Sequence, residues 1–261
     1  MTRVIVSTGR GGTGKSTFCA MISKYLAPPL LLIDVDPDQS LCDMLGVDLE
    51  KEEVSTVSNV VFGTKQTGAL SSRLYFDDLE TSFYSNCIYK SEEFDLVTLG
   101  AKWTEGCYCL ADNSLKGIIP KLITGYENVV IDSPAGLEHL NRRVVSHISD
   151  LFVLSDSSLK SMKHIERMKR IIEGVKITYD YFYLIGNYEF NGEVEKSLQD
   201  LSQHYLGKID YDTNVKDYNL KGKPLWDLPE DSPACLSVKK LLKRIQETDR
   251  NHFHVREELL A

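Results

Sequence analysis

The sequence predicts an α/β fold in which a mostly parallel sheet is flanked by helices on both faces. Short apolar, β-branched runs alternate with amphipathic segments of helical length along the 261 residues, which is typical of strands joined by crossover helices. Hydrophobic residues make up 42% of the chain, enough to bury a substantial core. No linker or repeat interrupts the pattern, so we expect a single domain over residues 1–261, with a less regular elaboration at about 49–93.

The predicted elements follow in order along the chain. Apolar runs predict strands at Arg3–Thr8, Leu30–Val35, Asp95–Leu99, Asn128–Asp132, Asp150–Leu154, Tyr181–Ile185 and Gly207–Ile209. Amphipathic periodicity predicts helices at Lys15–Leu26, Ser114–Ile123, Leu137–Ser149, Leu159–Glu173, Gly192–Tyr205 and Cys235–Thr248. Residues 49–93 are rich in Ser, Thr and Asp with weak periodicity, so no element is predicted there.

The composition argues against several classes of protein. The chain has 30 Lys and Arg against 38 Asp and Glu, a net charge of −8, which is unlike a general nucleic-acid binder. It begins with a strand-like run and has no apolar stretch long enough to cross a bilayer, so we expect a cytoplasmic protein without stable membrane association. The basic segment at 239–244 is expected to be the solvent face of a helix. Six cysteines in a cytosolic chain do not indicate a disulfide scaffold.

A glycine-rich loop lies between the first predicted strand and the first predicted helix. Residues 9–16 read G-R-G-G-T-G-K-S, which matches the phosphate-binding pattern G-x-x-x-x-G-K-[ST]. In this setting, backbone amides and a helix N-terminus converge on nucleotide phosphates. Lys15 would bridge the β- and γ-phosphates of ATP, and the Ser16 hydroxyl would ligate Mg²⁺. The residues expected to hold ATP or ADP here are Gly11, Gly12, Thr13, Gly14, Lys15, Ser16 and Thr17.

Carboxylates follow two further predicted strands. Asp34, Asp36 and Asp38 end the second strand, and Asp132 ends a later one, with Gly136 four residues beyond it. Ligands bind at this edge of an open α/β sheet. Taken singly, such an Asp is as readily a helix cap or turn former. Beside the glycine-rich loop, however, Asp132 is expected to hold Mg²⁺ through a water, and the Gly136 amide to reach the γ-phosphate.

These motifs resemble the deviant Walker A ATPases, the class of MinD, ParA and the nitrogenase iron protein. The resemblance implies a P-loop NTPase fold and Mg²⁺-dependent hydrolysis of ATP to ADP and phosphate. It also implies that Asp36 orients the attacking water beside the Mg²⁺ and that Asn187 contacts adenine. The segment at 209–212 is similar to a second stretch near the base.

The family carries a signature lysine where this chain has Arg10. In the family that lysine reaches across an ATP-bound homodimer to the partner's nucleotide. Lys15 and the loop amides already serve the phosphates of their own subunit, so Arg10 is free to point outward. An arginine keeps its charge and offers a planar fork to phosphate oxygens. We therefore expect Arg10 to act on the partner's nucleotide, the alternative being an inert, solvent-exposed loop cation.

A Cys-x-Cys pair, Cys107 and Cys109, suggests a metal site. If the backbone there is extended, side chains two residues apart point to the same side and both sulfurs can bind one ion. A two-fold dimer would supply four thiolates, which suits Zn²⁺ in a tetrahedron or Ni²⁺ in a plane. A predicted helix start near residues 112–114 would favour the thiolate forms. The alternatives are ordinary loop cysteines or an intersubunit [4Fe–4S] cluster.

The cysteine pair narrows the resemblance. Together with D-S-P-A-G-L-E-H at 132–139 and G-K-P-L-W at 222–226, it resembles the nickel-insertion ATPases of carbon monoxide dehydrogenase. This implies a metallochaperone that dimerises with ATP and delivers nickel to a client, carbon monoxide dehydrogenase or acetyl-CoA synthase. A MinD/ParA-type positioning ATPase and a redox ATPase carrying an iron–sulfur cluster are the alternatives.

Overall fold

A computed structural model describes residues 2–66, 72–101, 109–135, 145–187, 195–196, 205–248 and 254–260. The strands are β1 (Arg3–Gly9), β2 (Leu30–Asp34), β3 (Ile88–Lys90), β4 (Asp95–Thr98), β5 (Asn128–Asp132), β6 (His147–Ser155), β7 (Thr178–Asn187) and β8 (Tyr205–Ile209). They form one eight-stranded sheet in the order β3-β4-β2-β5-β1-β6-β7-β8. Every pairing is parallel except that of β3 with β4. The first strand of the chain therefore lies inside the sheet, between β5 and β6.

Helices cover both faces of this sheet. They are α1 (Lys15–Ser23), α2 (Ser40–Leu45), α3 (Val57–Gln66), α4 (Ser72–Asn86), α5 (Cys109–Leu122), α6 (Leu159–Val175), α7 (Thr213–Lys221), α8 (Pro233–Thr248) and α9 (Glu257–Leu260). One hydrophobic core joins α1, α2 and α8 to the sheet through residues such as Phe18, Leu32 and Leu242. A second core packs the helices α3, α4, α5 and α6 against the other face of the sheet. It contains Ile33, Phe83 and Met168. The predicted fold class is confirmed.

Two predicted helices extend too far. The helix predicted at 137–149 is wrong at its end, because β6 begins at His147; residues 136–144 lie outside the described part. The first residues of β6 extend beyond β1, which pairs only from Asp150 onward. Of His147, Ile148 and Ser149 only Ile148 is apolar and buried, so this stretch does not resemble a buried strand in the sequence. The helix predicted at 192–205 is wrong at Tyr205, which starts β8, and most of it lies outside the described residues.

The segment at 49–93 contains elements that the sequence analysis did not predict. It holds α3, α4 and the antiparallel edge strand β3. The side chains described there give each helix only a short apolar stripe, Val57 with Val61 and Leu79 with Phe83. The helix α7 was also missed, because none of its residues is buried and an apolar periodicity is therefore lacking. Weak amphipathicity explains all of these omissions.

The basic segment at 239–244 behaves only partly as predicted. Lys240 and Lys243 are exposed on α8, as expected for a solvent face. Lys239 instead pairs with Glu230 at 2.9 Å, and the Arg244 guanidinium donates a hydrogen bond to the backbone oxygen of Leu206 beside the edge strand β8. Two of these four cations therefore stabilise the fold rather than face solvent alone.

Candidate nucleotide site

The glycine-rich loop connects the end of β1 to the start of α1 and requires its glycines. Gly14 has a φ of +84°, in the left-handed region. A Cβ atom there would come within 2.1 Å of Asn187 Nδ2. That Asn187 amide donates a hydrogen bond of 2.7 Å to the backbone oxygen of Thr13. Asn187, at the end of β7, therefore fixes the loop conformation as well as facing the cavity described below.

The Lys15 amine is folded back over the loop. Its Nζ donates to the backbone oxygen of Arg10 at 3.2 Å, and the same oxygen accepts a hydrogen bond from Thr13 Oγ1 at 2.8 Å. Lys15 is only 7% exposed and is the first residue of α1. The amine is thus held at the loop whose amides can bind phosphate. Among the described residues its one hydrogen bond is this 3.2 Å contact, which it can exchange for a phosphate oxygen.

Two buried carboxylates lie side by side next to this loop. Asp34 and Asp132 are register partners on β2 and β5, and neither is exposed to solvent. Burial and the neighbouring charge of Asp132 raise the pKa of Asp34, although the Asp34 carboxylate accepts hydrogen bonds from the amides of Asp36 at 3.0 Å and Leu41 at 3.1 Å. One of the two carboxylates is therefore tied to the backbone of the loop that carries Asp36.

Asp132 keeps an oxygen for a ligand. Burial raises the pKa of Asp132 to about 6, while the Ser16 hydroxyl and the Lys15 charge favour its ionised form. Its Oδ2 is buried and has no hydrogen-bond partner among the described residues. A hard divalent cation takes carboxylate and hydroxyl oxygens, so these groups fit Mg²⁺. Ser16 and Asp132 would hold the ion, which would neutralise the charge that the phosphates and carboxylates bring together.

A cavity of about 670 Å³ opens over the loop, a size suited to a ligand as large as a nucleotide. Predicted site residues that line it are Gly11, Gly12, Gly14, Lys15, Ser16, Thr17, Asp36 and Asn187. The segment at 209–212 lines it too. Residues that the sequence analysis did not single out are Met44, Val215, Lys216, Asn219 and Leu220. The last four lie on α7, whose exposed helical surface gave no sequence signal.

Asp212 positions this part of the wall. Its carboxylate caps α7 by accepting a hydrogen bond from the Asn214 amide at 2.8 Å, and it also accepts from the Ala234 amide at 3.1 Å at the start of α8. Asp212 thus joins the first turns of two helices at the cavity. Of the other predicted nucleotide-binding residues, Thr13 is a buried member of the loop. Gly136 lies outside the described residues.

The Arg10 side chain contacts two residues of its own subunit, which corrects the expectation that it is free to point outward. Its Nη1 lies 3.4 Å from Asp156 Oδ2 and 3.2 Å from Ser158 Oγ. Ser158 is the N-cap of α6, where its hydroxyl accepts a hydrogen bond from the Ser161 amide. Although partial burial opposes it, hydrogen bonds from Ser158 and Ser161 and the Arg10 charge hold the pKa of Asp156 below its usual value. Both partners of this ion pair remain about one-third exposed.

The cysteine pair falls at the edge of the described structure. Cys109 is the first residue of α5, so the extended backbone assumed for the pair does not continue through it; Cys107 lies outside the described residues. Within the described ranges, no group of three or more His, Cys, Asp or Glu side chains is placed to hold a metal ion. The other cysteines, Cys19, Cys42, Cys87 and Cys235, are free and buried, as expected for small apolar residues.

Comparison with known proteins identifies the family. The sequence profile of the CobQ/CobB/MinD/ParA nucleotide-binding domain matches residues 4–225. The chain belongs to this family. Its predicted resemblance to the deviant Walker A ATPases is thereby confirmed, and the glycine-rich loop described above is the nucleotide-binding loop of a CobQ/CobB/MinD/ParA domain.

Relatives match nearly the whole chain. An uncharacterized ATP-binding protein of Methanocaldococcus jannaschii is 30% identical over 257 residues, covering 93% of this chain and 98% of that protein. The carbon monoxide dehydrogenase accessory protein CooC of Rhodospirillum rubrum is 27% identical over 251 residues, covering 88% and 91%. The structure of MinD with Mg-ADP from Pyrococcus horikoshii has a TM-score of 0.66 at 20% identity, covering 96% and 97%, and supports the fold alone. No helix in the described ranges is both long and apolar enough to cross a membrane.

Proposed function

We propose that this chain is an ATP-hydrolysing metallochaperone that dimerises with ATP and carries nickel between its subunits for a client enzyme in the cytoplasm. The observation that carries the ATPase part is the buried, unsatisfied oxygen of Asp132 beside Ser16 and Lys15. The nickel part is supported by the Cys107–Cys109 pair and by the similarity to an accessory protein of carbon monoxide dehydrogenase. The client is carbon monoxide dehydrogenase or acetyl-CoA synthase.

Hydrolysis uses the groups already gathered at the loop. The Lys15 amine exchanges the Arg10 carbonyl for the β- and γ-phosphates, and the loop amides with the Gly136 amide bind the remaining oxygens. Ser16 and Asp132 would hold Mg²⁺, which would neutralise charge on the phosphates. Asp36 is partly exposed in the cavity wall and orients the attacking water. The γ-phosphoryl group is transferred to this water, giving ADP and phosphate.

Dimer closure requires Arg10 to leave Asp156. That ion pair is long and partly exposed, and such pairs contribute about 0–1 kcal/mol. A partner's ATP, with charged phosphate oxygens in a water-poor interface, offers the guanidinium a stronger bidentate contact. Arg10 therefore acts in trans on the partner's nucleotide, and hydrolysis releases it. This couples the nucleotide state of each subunit to the closure of the dimer.

The cargo site forms from both subunits. Cys109 opens α5, a helix of 14 residues, so the partial positive charge of the helix N-terminus favours its thiolate. Two Cys107–Cys109 pairs supply four sulfurs for nickel, or for zinc as a competing cargo. Because ATP closes the dimer and the dimer completes the metal site, the affinities for ATP and metal are reciprocally linked.

Metal analysis of anaerobically purified protein tests the cargo site. We expect one nickel or zinc ion per dimer in the wild type with ATP, and none after Cys107→Ser with Cys109→Ser. The matched control Cys87→Ala removes a buried thiol elsewhere and should keep the metal. Unchanged metal content in the double variant contradicts the chaperone function and favours a MinD/ParA-type positioning ATPase. Iron with a thiolate–iron absorbance band favours the redox ATPase instead.

A further inference from the structure

One flank of α6 carries a row of positive charges in an acidic chain. Lys160, Lys163, Arg167 and Arg170 are all exposed and are spaced by three, four and three residues. At 3.6 residues per turn this spacing places them within an arc of about 80°, along about 15 Å of helix. We name these four residues the basic row. α6 has a net charge of +3 in a chain of net charge −8, so the rest of the chain carries −11.

The basic row has no partner within the described part of the chain. None of its four side chains makes an ion pair or hydrogen bond with another described residue. The two acids of the helix, Glu166 and Glu173, lie beside the row rather than within it, about 80–100° around the helix from its centre. Lys169, farther around on the same side, places its Nζ 5.0 Å from the centre of the Phe182 ring. The solvent side of α6 is thus divided into a purely basic flank and a mixed one.

Placing four cations in one row has an electrostatic cost. Like charges three or four residues apart destabilise a helix by a few tenths of a kcal/mol per pair. Glu166 stands three residues after Lys163 and four before Arg170, close enough to offset part of this repulsion, but it forms no ion pair with either cation in the described structure. His164 lies within reach of charges from both the row and the nucleotide loop: burial and the charges of Arg10, Lys15 and Arg167 lower its pKa. An unpaired row of this kind is typical of a surface that meets an external anion.

We infer that the basic row is a docking surface for an acidic helix of a second protein, with Asp or Glu at three- and four-residue spacing. A straight row of about 15 Å matches about three turns of a helix lying alongside α6. The remaining chain, strongly acidic, repels a polyanion such as DNA or an anionic membrane at long range. Among the described side chains of this flank there is no exposed aromatic or aliphatic group to stack on bases or to enter lipid.

The location of the row gives docking a consequence. Lys160 lies two residues after Ser158, whose hydroxyl contacts Arg10. A partner lying along the row therefore ends beside Arg10, which the proposed function assigns to the partner subunit's nucleotide. This inference goes beyond the proposed function, because it does not depend on the metal or on the cysteine pair.

Two peptides and two variants test the docking surface. The probe is a fluorescent alanine-based helical peptide with four glutamates at three- and four-residue spacing. Its control has the same composition, with the glutamates distributed around the helix. Arg167→Glu with Arg170→Glu alters the row at its end away from the nucleotide loop. Lys240→Glu with Lys243→Glu makes the same change of net charge at the same spacing on α8, where both lysines are exposed.

Binding is measured by fluorescence anisotropy at low and raised ionic strength. We expect the striped peptide to bind the wild type at low salt, to weaken at high salt, and to exceed the control peptide in affinity. The α6 variant should bind about tenfold more weakly, from the loss of two charge pairs and the gain of two repulsions. The α8 variant should retain nearly full affinity, and both variants should keep wild-type ATP hydrolysis.

Other results overturn the inference. Equal weakening by the two variants, or equal affinity for the two peptides, would show an unspecific response to net charge. Absence of peptide binding at low ionic strength would remove the surface altogether. Tighter, row-dependent binding of duplex DNA, or of vesicles containing phosphatidylserine, would assign the row to a different class of partner.

Discussion

Buried carboxylates near the two ends of β1 have different neighbours. At the beginning of the strand, Arg3 forms a bidentate ion pair with Asp150 on β6, including a contact of 2.6 Å between Nη2 and Oδ1. At the end of the strand, Asp132 on β5 lies beside a second carboxylate, Asp34, instead of a guanidinium. All three carboxylates are fully buried. The same residue type in the same sheet is therefore neutralised by a guanidinium at one edge and paired with a second carboxylate at the other.

This difference distinguishes carboxylates that stabilise the fold from carboxylates that are placed to bind a ligand. A buried charge is stable only with a partner of opposite charge, so its partner must come from the chain or from outside it. Arg3 is the internal partner of Asp150, and this pair contributes to the fold alone. Among the described residues, the carboxylates at the nucleotide edge have the charge of Lys15 but no bidentate guanidinium, and Asp132 keeps an unsatisfied oxygen. This is the arrangement expected where Mg²⁺ and ATP complete the site.

Arg3→Met breaks the internally neutralised end and should have the largest effect. It leaves Asp150 buried without the guanidinium, and we expect a loss of about 3–5 kcal/mol in the free energy of unfolding, measured with a chemical denaturant. Arg3→Met with Asp150→Leu should recover most of this loss, because no buried charge remains. A double variant as unstable as the single one would show that packing, rather than charge, holds this edge.

Asp132→Asn removes a buried charge at the nucleotide end of β1 and should raise the stability of the metal-free protein, whereas Arg3→Met lowers it. Because the folded-state pKa of Asp132 is raised to about 6, the folded chain binds more protons than the unfolded chain between about pH 4 and pH 6. The stability of metal-free wild type therefore falls as the pH rises through this window and stays low at pH 7. Asn removes the charge, so we expect a gain of about 1–3 kcal/mol at pH 7.

The same variant should lose its response to ligand. Thermal unfolding with and without Mg²⁺ and ATP would show a stabilising shift for the wild type and little or none for Asp132→Asn. Asp150→Asn serves as the matched control, because it should lower stability while preserving the shift. If Asp132→Asn destabilised the metal-free protein as Asp150→Asn does, the two ends would not differ as described.

Of these variants, Arg10→Ala should have the smallest effect on stability, and it should affect dimerisation and turnover but not nucleotide binding. Its exposed pair with Asp156 contributes about 0–1 kcal/mol, so unfolding should scarcely shift. Nucleotide binding should persist, whereas ATP-dependent dimerisation, followed by light scattering after size exclusion, and turnover should be lost. Asp156→Asn, which releases Arg10, should favour the dimer by about two- to threefold. Normal hydrolysis by Arg10→Ala would make Arg10 an ordinary loop cation.

Much of the nucleotide edge could be predicted from the sequence because local patterns encode it. The loop at 9–16 has fixed spacing, and Asp34 and Asp132 each follow an apolar run, so parallel pairing brings them to one edge. The fold class followed from the same alternation of strands and helices. These features depend on residues that are close together along the chain.

The rest depends on contacts between distant residues. Arg10 meets Asp156 across 146 positions, and Asn187 supports Gly14 across 173, which no local pattern reveals. The α7 wall of the cavity was missed because an exposed helix leaves no apolar stripe. The helix α5 starts at Cys109, five residues before the predicted Ser114.

The most direct test of the account is the nickel affinity of the wild type and of Arg10→Ala, each with and without a nonhydrolysable ATP analogue. We predict that the analogue tightens nickel binding to the wild type by about tenfold or more and leaves Arg10→Ala unchanged, because only a closed dimer brings four thiolates together. Equal nickel affinity with and without the analogue in the wild type would contradict the link between nucleotide, dimer and metal.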